Sequence, residues 1–330
     1  MDIGDTNENT HAGYAVARIL TLGEFAIERP VATATSASGD PPRYTPVPAN
    51  EWRSRGPAMT LLKVLLCRPS RRATRDELIE AIWSCGETLN AAHALDSAAS
   101  VLRRHILGTH GEGSLLLTVR SGGEIIFRLP GQRHLWVDAD ELLELAARAV
   151  RAECAGQDPL PLLEAAHALS RGEFLEDDPY AEWVQGRRRT IDGARRRVLY
   201  RLVDLSLGEA RAGRAEELLF AELEQDPADE DALCRLMILL VDQGRRQEAL
   251  QLYQYTAEVL REERSEPAMY TKELAVRIRR GLTLREQAAG YAVGSVRPIR
   301  LTGRDAGPML AVLGTAPSGG RVARKRRVKG

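Results

Sequence analysis

The sequence predicts a mainly α-helical protein: an N-terminal winged helix-turn-helix with small β-strands, then a tetratricopeptide-like helical solenoid. Three observations carry that prediction. Ala, Leu, Arg and Glu are plentiful while aromatic residues make up only 5% of the 330, a balance that favours helix over sheet. Three short helical patterns in succession lead into two apolar stretches around Ser121-Gly122-Gly123, the order of helices and hairpin in a winged helix. From Val137 onward helical periodicity runs almost without relief and contains an internal echo, the mark of stacked helix pairs.

Composition sets bounds on function. At 330 residues the chain exceeds what one core usually fills, so two or more domains are expected. Its 46 basic residues balance its 46 acidic ones, so any surface for a polyanion must be local. Cys67, Cys85, Cys154 and Cys234 show no CxxC spacing, which predicts reduced thiols and neither a disulfide frame nor a zinc site. No apolar run approaches the roughly 18 residues that span a bilayer, and the opening MDIGDTNENTHAG lacks the features of a signal peptide. The expected location is the cytoplasm, with no membrane partner.

Residues 1–15 are polar and are expected to be disordered. A winged-helix domain is expected over 16–136. Arg18 to Glu28 alternates as strands do, with a turn at Gly23, whereas 29–51, rich in Pro, Ala, Ser and Thr, reads as a flexible loop. Pro57 to Cys67 places Met59, Leu62, Leu65 and Leu66 on one helical face, and a basic turn with Arg68, Arg71 and Arg72 follows. Thr74 with Glu77 three residues on predicts a capping box before the helix that buries Leu78, Ile82 and Trp83, because each side chain satisfies the other's backbone N–H.

The third helix, Asn90 to Leu107, is the candidate for base reading. Asn90 is expected to cap it. Ala91, Ala94, Leu95, Ala98, Val101, Leu102 and Ile106 recur at steps of three and four and define its buried face, leaving His93, Ser97, Ser100 and Arg104 on the other, with Asp96 and Arg103 beside them. Short hydrogen-bonding side chains and arginines suit the major groove, which admits one helix and displays donors and acceptors. After it, Leu115 to Arg120 and Glu124 to Leu129 read as a hairpin, with Arg120 and Ser121 near its tip and Arg71 and Arg72 as further phosphate contacts.

The runs LLKVLLCRPSRRATRDELIEAIW, LNAAHALDSAASVLRRHIL and LLLTVRSGGEIIFRL resemble the response-regulator-type winged helix of SARP-like transcription factors (Streptomyces antibiotic regulatory proteins). GEFLEDDPYAEW, ADEDALCRLMILLVDQGRRQEALQLY and EVLREERSEPAMYTKELAVRI resemble the bacterial transcriptional activator domain that follows it in that family. The resemblance spans Arg18 to about Arg280 and implies a DNA-binding regulator. In the family the third helix enters the major groove on residues that correspond to His93, Asp96, Ser97, Ser100 and Arg104, and the wing contacts the backbone. It further implies homodimers on direct repeats of double-stranded DNA, contact with RNA polymerase holoenzyme, and residence at the nucleoid. The chain departs from the family at Asp96, Ala98 and Val101, where bulky or basic residues are usual; a carboxylate near phosphates repels unless it accepts from a cytosine amine.

The helical domain is expected over 137–280. Ala212-Gly213-Arg214 echoes Gln243-Gly244-Arg245 at an offset of 31 (244 − 213), near the ~34-residue repeat period. Glu176-Asp177-Asp178 lacks a nearby His and reads as a solvated loop more than as ligands for a hard cation. The runs Arg187 to Arg189 and Arg195 to Arg197 read as solvated faces or partners of acids. Residues 281–330 form an expected disordered basic tail ending RVARKRRVKG, free to add phosphate contacts. No P-loop, GxSxG elbow, HExxH helix or GxGxxG turn occurs, so no enzyme, cofactor or metal is expected. No receiver domain precedes the head, so control through a phosphorylated aspartate is not expected. Asp96 and the zero net charge keep a second class open, a repeat-type interaction scaffold whose winged helix no longer binds DNA.

Overall fold

The computed structural model describes residues 15–31, 42–83, 88–107, 109–110, 113–208 and 211–282. The expectations for residues 1–14, for the basic tail beyond Leu282, for Cys85 and for residues 32–41 fall outside them. In chain order the elements are β1 (Ala17–Leu20), β2 (Ala26–Pro30), β3 (Tyr44–Pro46), α1 (Gly56–Cys67), β4 (Arg72–Thr74), α2 (Arg75–Ile82), α3 (Thr88–Val101), β5 (Thr109–His110), β6 (Gly113–Ser114), β7 (Leu117–Ser121), β8 (Glu124–Arg128) and β9 (Leu135–Val137). The helices α4 (Asp138–Cys154), α5 (Leu160–Leu169), α6 (Glu182–Gly208), α7 (Ala212–Gln225), α8 (Glu230–Asp242), α9 (Arg246–Glu262) and α10 (Met269–Arg280) follow. The fold is mainly α with a winged-helix head, as the sequence predicts. Two compact units divide between Leu239 and Leu240.

In the first unit one sheet runs β3-β2-β1-β9 and a second runs β4-β8-β7. The hairpin of β1 and β2 occurs where alternation predicts it. β3 does not: it pairs with β2 inside the segment read as a flexible loop. Long-range contacts hold it, since the Tyr44 hydroxyl donates to the Ala15 carbonyl at 2.6 Å and Arg18 stacks 3.9 Å from the Tyr44 ring centre. β9 is not anticipated: Val137, where the helical run is expected to begin, instead ends a strand that pairs in parallel with β1, Ala17 opposite Leu135. Asn90 falls inside α3, which starts at Thr88, so it is not the cap.

The head and the start of the helical domain share one hydrophobic core. Phe25, Leu61, Leu62, Leu65, Leu78, Leu95 and Leu102 cluster with Phe174, Leu175, Val184 and Ile191. Backbone bonds stitch the two together: Gly23 N–H donates to Glu173 at 2.9 Å and Leu175 N–H to Thr21 at 2.8 Å. Gly172 is required there, because a Cβ would lie 2.6 Å from Gly23 Cα. The buried Asp138 carboxylate, at the start of α4, accepts from Thr21 N–H (2.8 and 2.9 Å), Thr21 Oγ1–H (2.6 Å), Leu22 N–H (3.0 Å) and Ala139 N–H (2.8 Å). Burial pushes its pKa up and these donors pull against that rise.

The repeat has a different register from the glycine echo. Gly213 lies in the first turn of α7, whereas Gly244 precedes α9 with φ +81°, a left-handed position that favours glycine. The helix starts Ala212 and Arg246 are 34 residues apart (246 − 212), matching the ~34-residue period of such repeats.

Two outcomes follow for stability. Asp138→Asn replaces an all-acceptor group with an amide that turns N–H toward N–H, so the urea midpoint should fall by the equivalent of about 1–3 kcal/mol; an unchanged midpoint would remove Asp138 from its joining role. His167, half-buried on α5, is held below its ordinary 6.5 by burial and then by Arg214. The folded state therefore binds fewer protons than the unfolded chain, and stability is lost as pH falls through 6.5 toward the folded value. His167→Gln should flatten that loss in denaturation curves taken between about pH 7 and 5.

Candidate nucleic-acid interface

α2 and α3 are fixed to the core in the manner their sequence dictates. The capping box forms: Glu77 N–H donates to Thr74 Oγ1 at 3.3 Å while the Glu77 carboxylate accepts from Thr74 N–H at 2.8 Å, and these bonds hold the Glu77 carboxyl below its ordinary pKa. Along α3, Ala91, Leu95, Ala98, Ala99 and Leu102 are buried. His93, Asp96 and Ser97 are exposed and Ser100 half-exposed, so the predicted face is open to solvent.

Beyond Val101 the helix widens into a π-turn over Leu102–Ile106, with Leu107 N–H donating to the Leu102 carbonyl, five residues back, at 2.9 Å. Two arginines hold this end. Arg29, from β2, donates to the His105 and Ile106 carbonyls, satisfying acceptors that a helix C-terminus leaves orphaned. Arg103 reaches to the wing, donating to the Leu116 carbonyl at 3.1 Å and to Thr118 Oγ1 at 2.5 Å. Arg104 and His105 stay exposed.

The wing is the predicted hairpin with Ser121 opposite Glu124. Gly122 and Gly123 have φ +59° and +89°, as a two-residue type I′ turn requires. Side chains alternate across a strand, so Arg120 projects from the face that carries Thr118, the residue gripped by α3. Arg120 and Ser121 are both exposed. Arg72 is exposed too, but it stands in register with Arg128 and Leu117, on the opposite face of the sheet from Thr118 and Arg120.

Three expectations are corrected. Arg71 is not a phosphate contact: it is buried, and its guanidinium donates to Asp140, to the Pro130 (2.9 Å) and Leu135 (2.7 Å) carbonyls and to Gln132. Its φ of +51°, beside Ser70 at +59°, accompanies that inward course. Arg103 is engaged with the wing and half-buried, so its guanidinium braces the site and is not free to read bases. Asp178 does not share the solvated state of its loop: Glu176 and Asp177 are exposed as expected, but Asp178 pairs with Lys63 of α1 at 2.5 Å.

Asp96 is exposed as expected, and its carboxylate is ion-paired with Arg75 at the start of α2. Arg75, Arg29 and His105 were missed. Arg75 and Asp96 are 21 residues apart, beyond any local pattern. Four of the six arginines in the runs of α6 turn inward or pair, Arg187 with Asp140, Arg188 with the Phe174 and Leu175 carbonyls, Arg195 with Gly172, Arg196 with Asp226 and Asp229, while Arg189 and Arg197 are exposed as expected. Among the described residues no group of His, Cys, Asp and Glu is placed to hold a metal, and no helix is long and apolar enough to cross a membrane. Cys67 and Cys234 are buried and free while Cys154 is exposed; burial pushes the Cys67 thiol up to about 12.

Comparison with known proteins agrees with this arrangement. The family model for the C-terminal domain of transcriptional regulatory proteins matches residues 52–123, and that for the bacterial transcriptional activator domain matches 137–279. The chain belongs to the SARP-like transcriptional regulators. This SARP-like chain is 29% identical to regulatory protein AfsR of Streptomyces coelicolor over 248 residues, which cover 73% of it and 24% of that protein. It is 31% identical to AfsR of Streptomyces griseus over 255 residues, 74% of it and 25% of that protein. It thus spans about a quarter of the length of these curated relatives. Mycobacterium tuberculosis EmbR, solved in complex with a low-affinity phosphopeptide, shares the fold with a TM-score of 0.61 at 21% identity, over 84% of this chain and 69% of that one. The families matched are those of transcriptional regulators and not of enzymes.

Arg103→Ala removes both bonds from α3 to the wing. Amide exchange across Leu117–Ser121 should accelerate roughly tenfold, as expected for a loss of about 1.4 kcal/mol confined to a local opening. Exchange at the wild-type rate would show that the wing is ordered without α3.

Proposed function

We propose that this SARP-like regulator reads double-stranded DNA with the exposed face of α3 and holds the backbone with its wing, acting as a transcriptional activator. One observation carries the reading: His93, Ser97, Ser100 and Arg104 share the open side of a helix whose other side is core, and Arg103 fixes that helix to the strand that presents Arg120. Short polar side chains and an arginine match base-edge donors and acceptors in the major groove. Arg120 and Ser121 supply the sequence-independent grip on phosphates.

Asp96 is compatible with DNA because Arg75 neutralises it. That pairing removes the main motive for a scaffold that no longer binds DNA. The zero net charge gives the scaffold no support either, since many of the chain's arginines are spent on internal partners. The family resemblance adds homodimerisation on direct repeats, contact of the helical domain with RNA polymerase holoenzyme, and a cytoplasmic, nucleoid-associated location. No cofactor enters the proposal.

Selection of random duplexes by gel shift should enrich a motif, and failure to enrich any would return the scaffold reading. Binding to the selected site should weaken with salt at a slope near 0.9 per phosphate neutralised. Ser100→Ala combined with Arg104→Ala should flatten preference among sequences by about 1–3 kcal/mol per lost base contact. Arg120→Ala should weaken all sequences alike and lower the salt slope by about one.

A further inference from the structure

The wing sheet has a second face, much of it exposed among the described residues. Register places Arg72 opposite Arg128 and Arg128 opposite Leu117, then Thr74 opposite Ile126 and Ile126 opposite Val119. All six side chains therefore lie on the side turned away from Thr118 and Arg120. Leu117 and Val119 are 43% and 47% exposed. Arg72 and Arg128 are like charges directly across a strand pair, an unfavourable arrangement, and neither meets an acid among the described residues. The result is an apolar patch edged by two uncompensated cations.

The complementary feature stands on the same compact unit. Between Leu175 and α6 the chain projects Tyr180, 95% exposed, among exposed Glu176, Asp177 and Glu182. The loop is rigid: Asp178 is tied to Lys63 at 2.5 Å, and the Pro179 carbonyl accepts from Gln185 at 3.1 Å and Arg188 at 3.4 Å. An exposed tyrosine on a pre-ordered loop loses little entropy on docking and belongs to the residue types that anchor interfaces. Aromatic amid acid on one surface matches apolar amid base on the other.

We propose that the loop Glu176–Glu182 of one copy docks on the Leu117–Val119–Ile126 face of a second copy, with Tyr180 as anchor and Asp177 and Glu182 facing Arg72 and Arg128. The two patches differ, so the contact is head-to-tail, and one rotation and translation relates each copy to the next. This deepens the dimer part of the proposed function, because direct repeats require like-oriented heads. An interface this small is weak in solution and gains strength when two heads are held on one duplex.

The test uses the full chain without DNA, in a background with Cys85→Ser and Cys154→Ser. Copies carrying Glu176→Cys, beside the intact Tyr180, are mixed with copies carrying Glu124→Cys, at the edge of the intact Val119 face, and treated with a short bis-maleimide; both positions are exposed. A mixed dimer should form at least tenfold faster than with a control Glu80→Cys partner on α2, and either Tyr180→Ala in the first copy or the double variant Arg72→Glu, Arg128→Glu in the Glu124→Cys copy should abolish the preference. Adding Asp177→Arg and Glu182→Arg to the first copy should restore it against the charge-reversed partner. A rate equal to the control, a Glu176→Cys to Glu176→Cys product that dominates, or indifference to Tyr180→Ala and to charge reversal each overturns the proposal. DNA is absent, so none of these outcomes bears on base reading, which duplex selection tests separately.

Discussion

The buried carboxylate of Asp138 is the constraint on which the arrangement of the first unit depends. A carboxylate without solvent is tolerated only when its acceptor sites are filled, and here the fillers are the backbone and hydroxyl of Thr21, the N–H of Leu22 and the N–H of its own helix at Ala139. The residue that starts α4 therefore closes the turn between β1 and β2. Immediately before it, β9 completes the sheet of the head. The winged helix does not end where the helical domain begins: Phe174, Leu175 and Ile191 fill the same core as α1 and α3, so the orientation of α3 relative to α4–α6 is set by packing and not by a linker.

Arginine is used in two distinct ways, and the distinction explains how a chain with no net charge presents a basic surface. Arg71, Arg187 and Arg188 meet carboxylates or carbonyls of the interior, where the planar, multiply donating guanidinium can satisfy several acceptors at once. Arg29 and Arg103 do the same for the end of the helix and for the wing. Acids that balance these residues lie inside with them, at Asp140 for example. Arg104 and Arg120 have no such partner among the described residues and face solvent. Net charge averages over both groups, while a polyanion meets only the second.

What was legible in the sequence had a local cause. The capping box at Thr74 and Glu77, the buried steps of α1 and α3 and the paired glycines of the wing each express bonds between residues a few positions apart. What was not legible depended on distant partners. β3, β4 and β9 have three residues each, too few to show alternation, and β9 takes its conformation from β1 more than 100 residues earlier in the chain. Within Arg68-Pro69-Ser70-Arg71-Arg72 the residues look equivalent, yet Arg71 turns inward to Asp140 and Arg72 does not. Nothing in the run itself marks the difference; the acceptors that decide it lie at 130–140.

Past the end of α3 the local rule still puts Ile106 inside and Arg104 outside, although the helix that carries them changes. Steps of 3.6 place Arg104 in line with Ser97 and Ser100, provided that the α-helix continues. It does not, because the bond from Leu107 to Leu102 spans five residues, and a π-turn takes nearly one residue more to return to the same side. After Leu102 the next inward residues are Ile106, where an unbroken α-helix would also bring one, and Leu107, one position beyond. His105 is in solvent beside Arg104. π-Turns of this kind often occur at functional sites, and this one is fastened from both sides, by Arg29 to the sheet and by Arg103 to the wing. The exposed basic end that follows α3 is therefore two side chains broad, Arg104 and His105, and Arg103 ties it to the strand that carries Arg120.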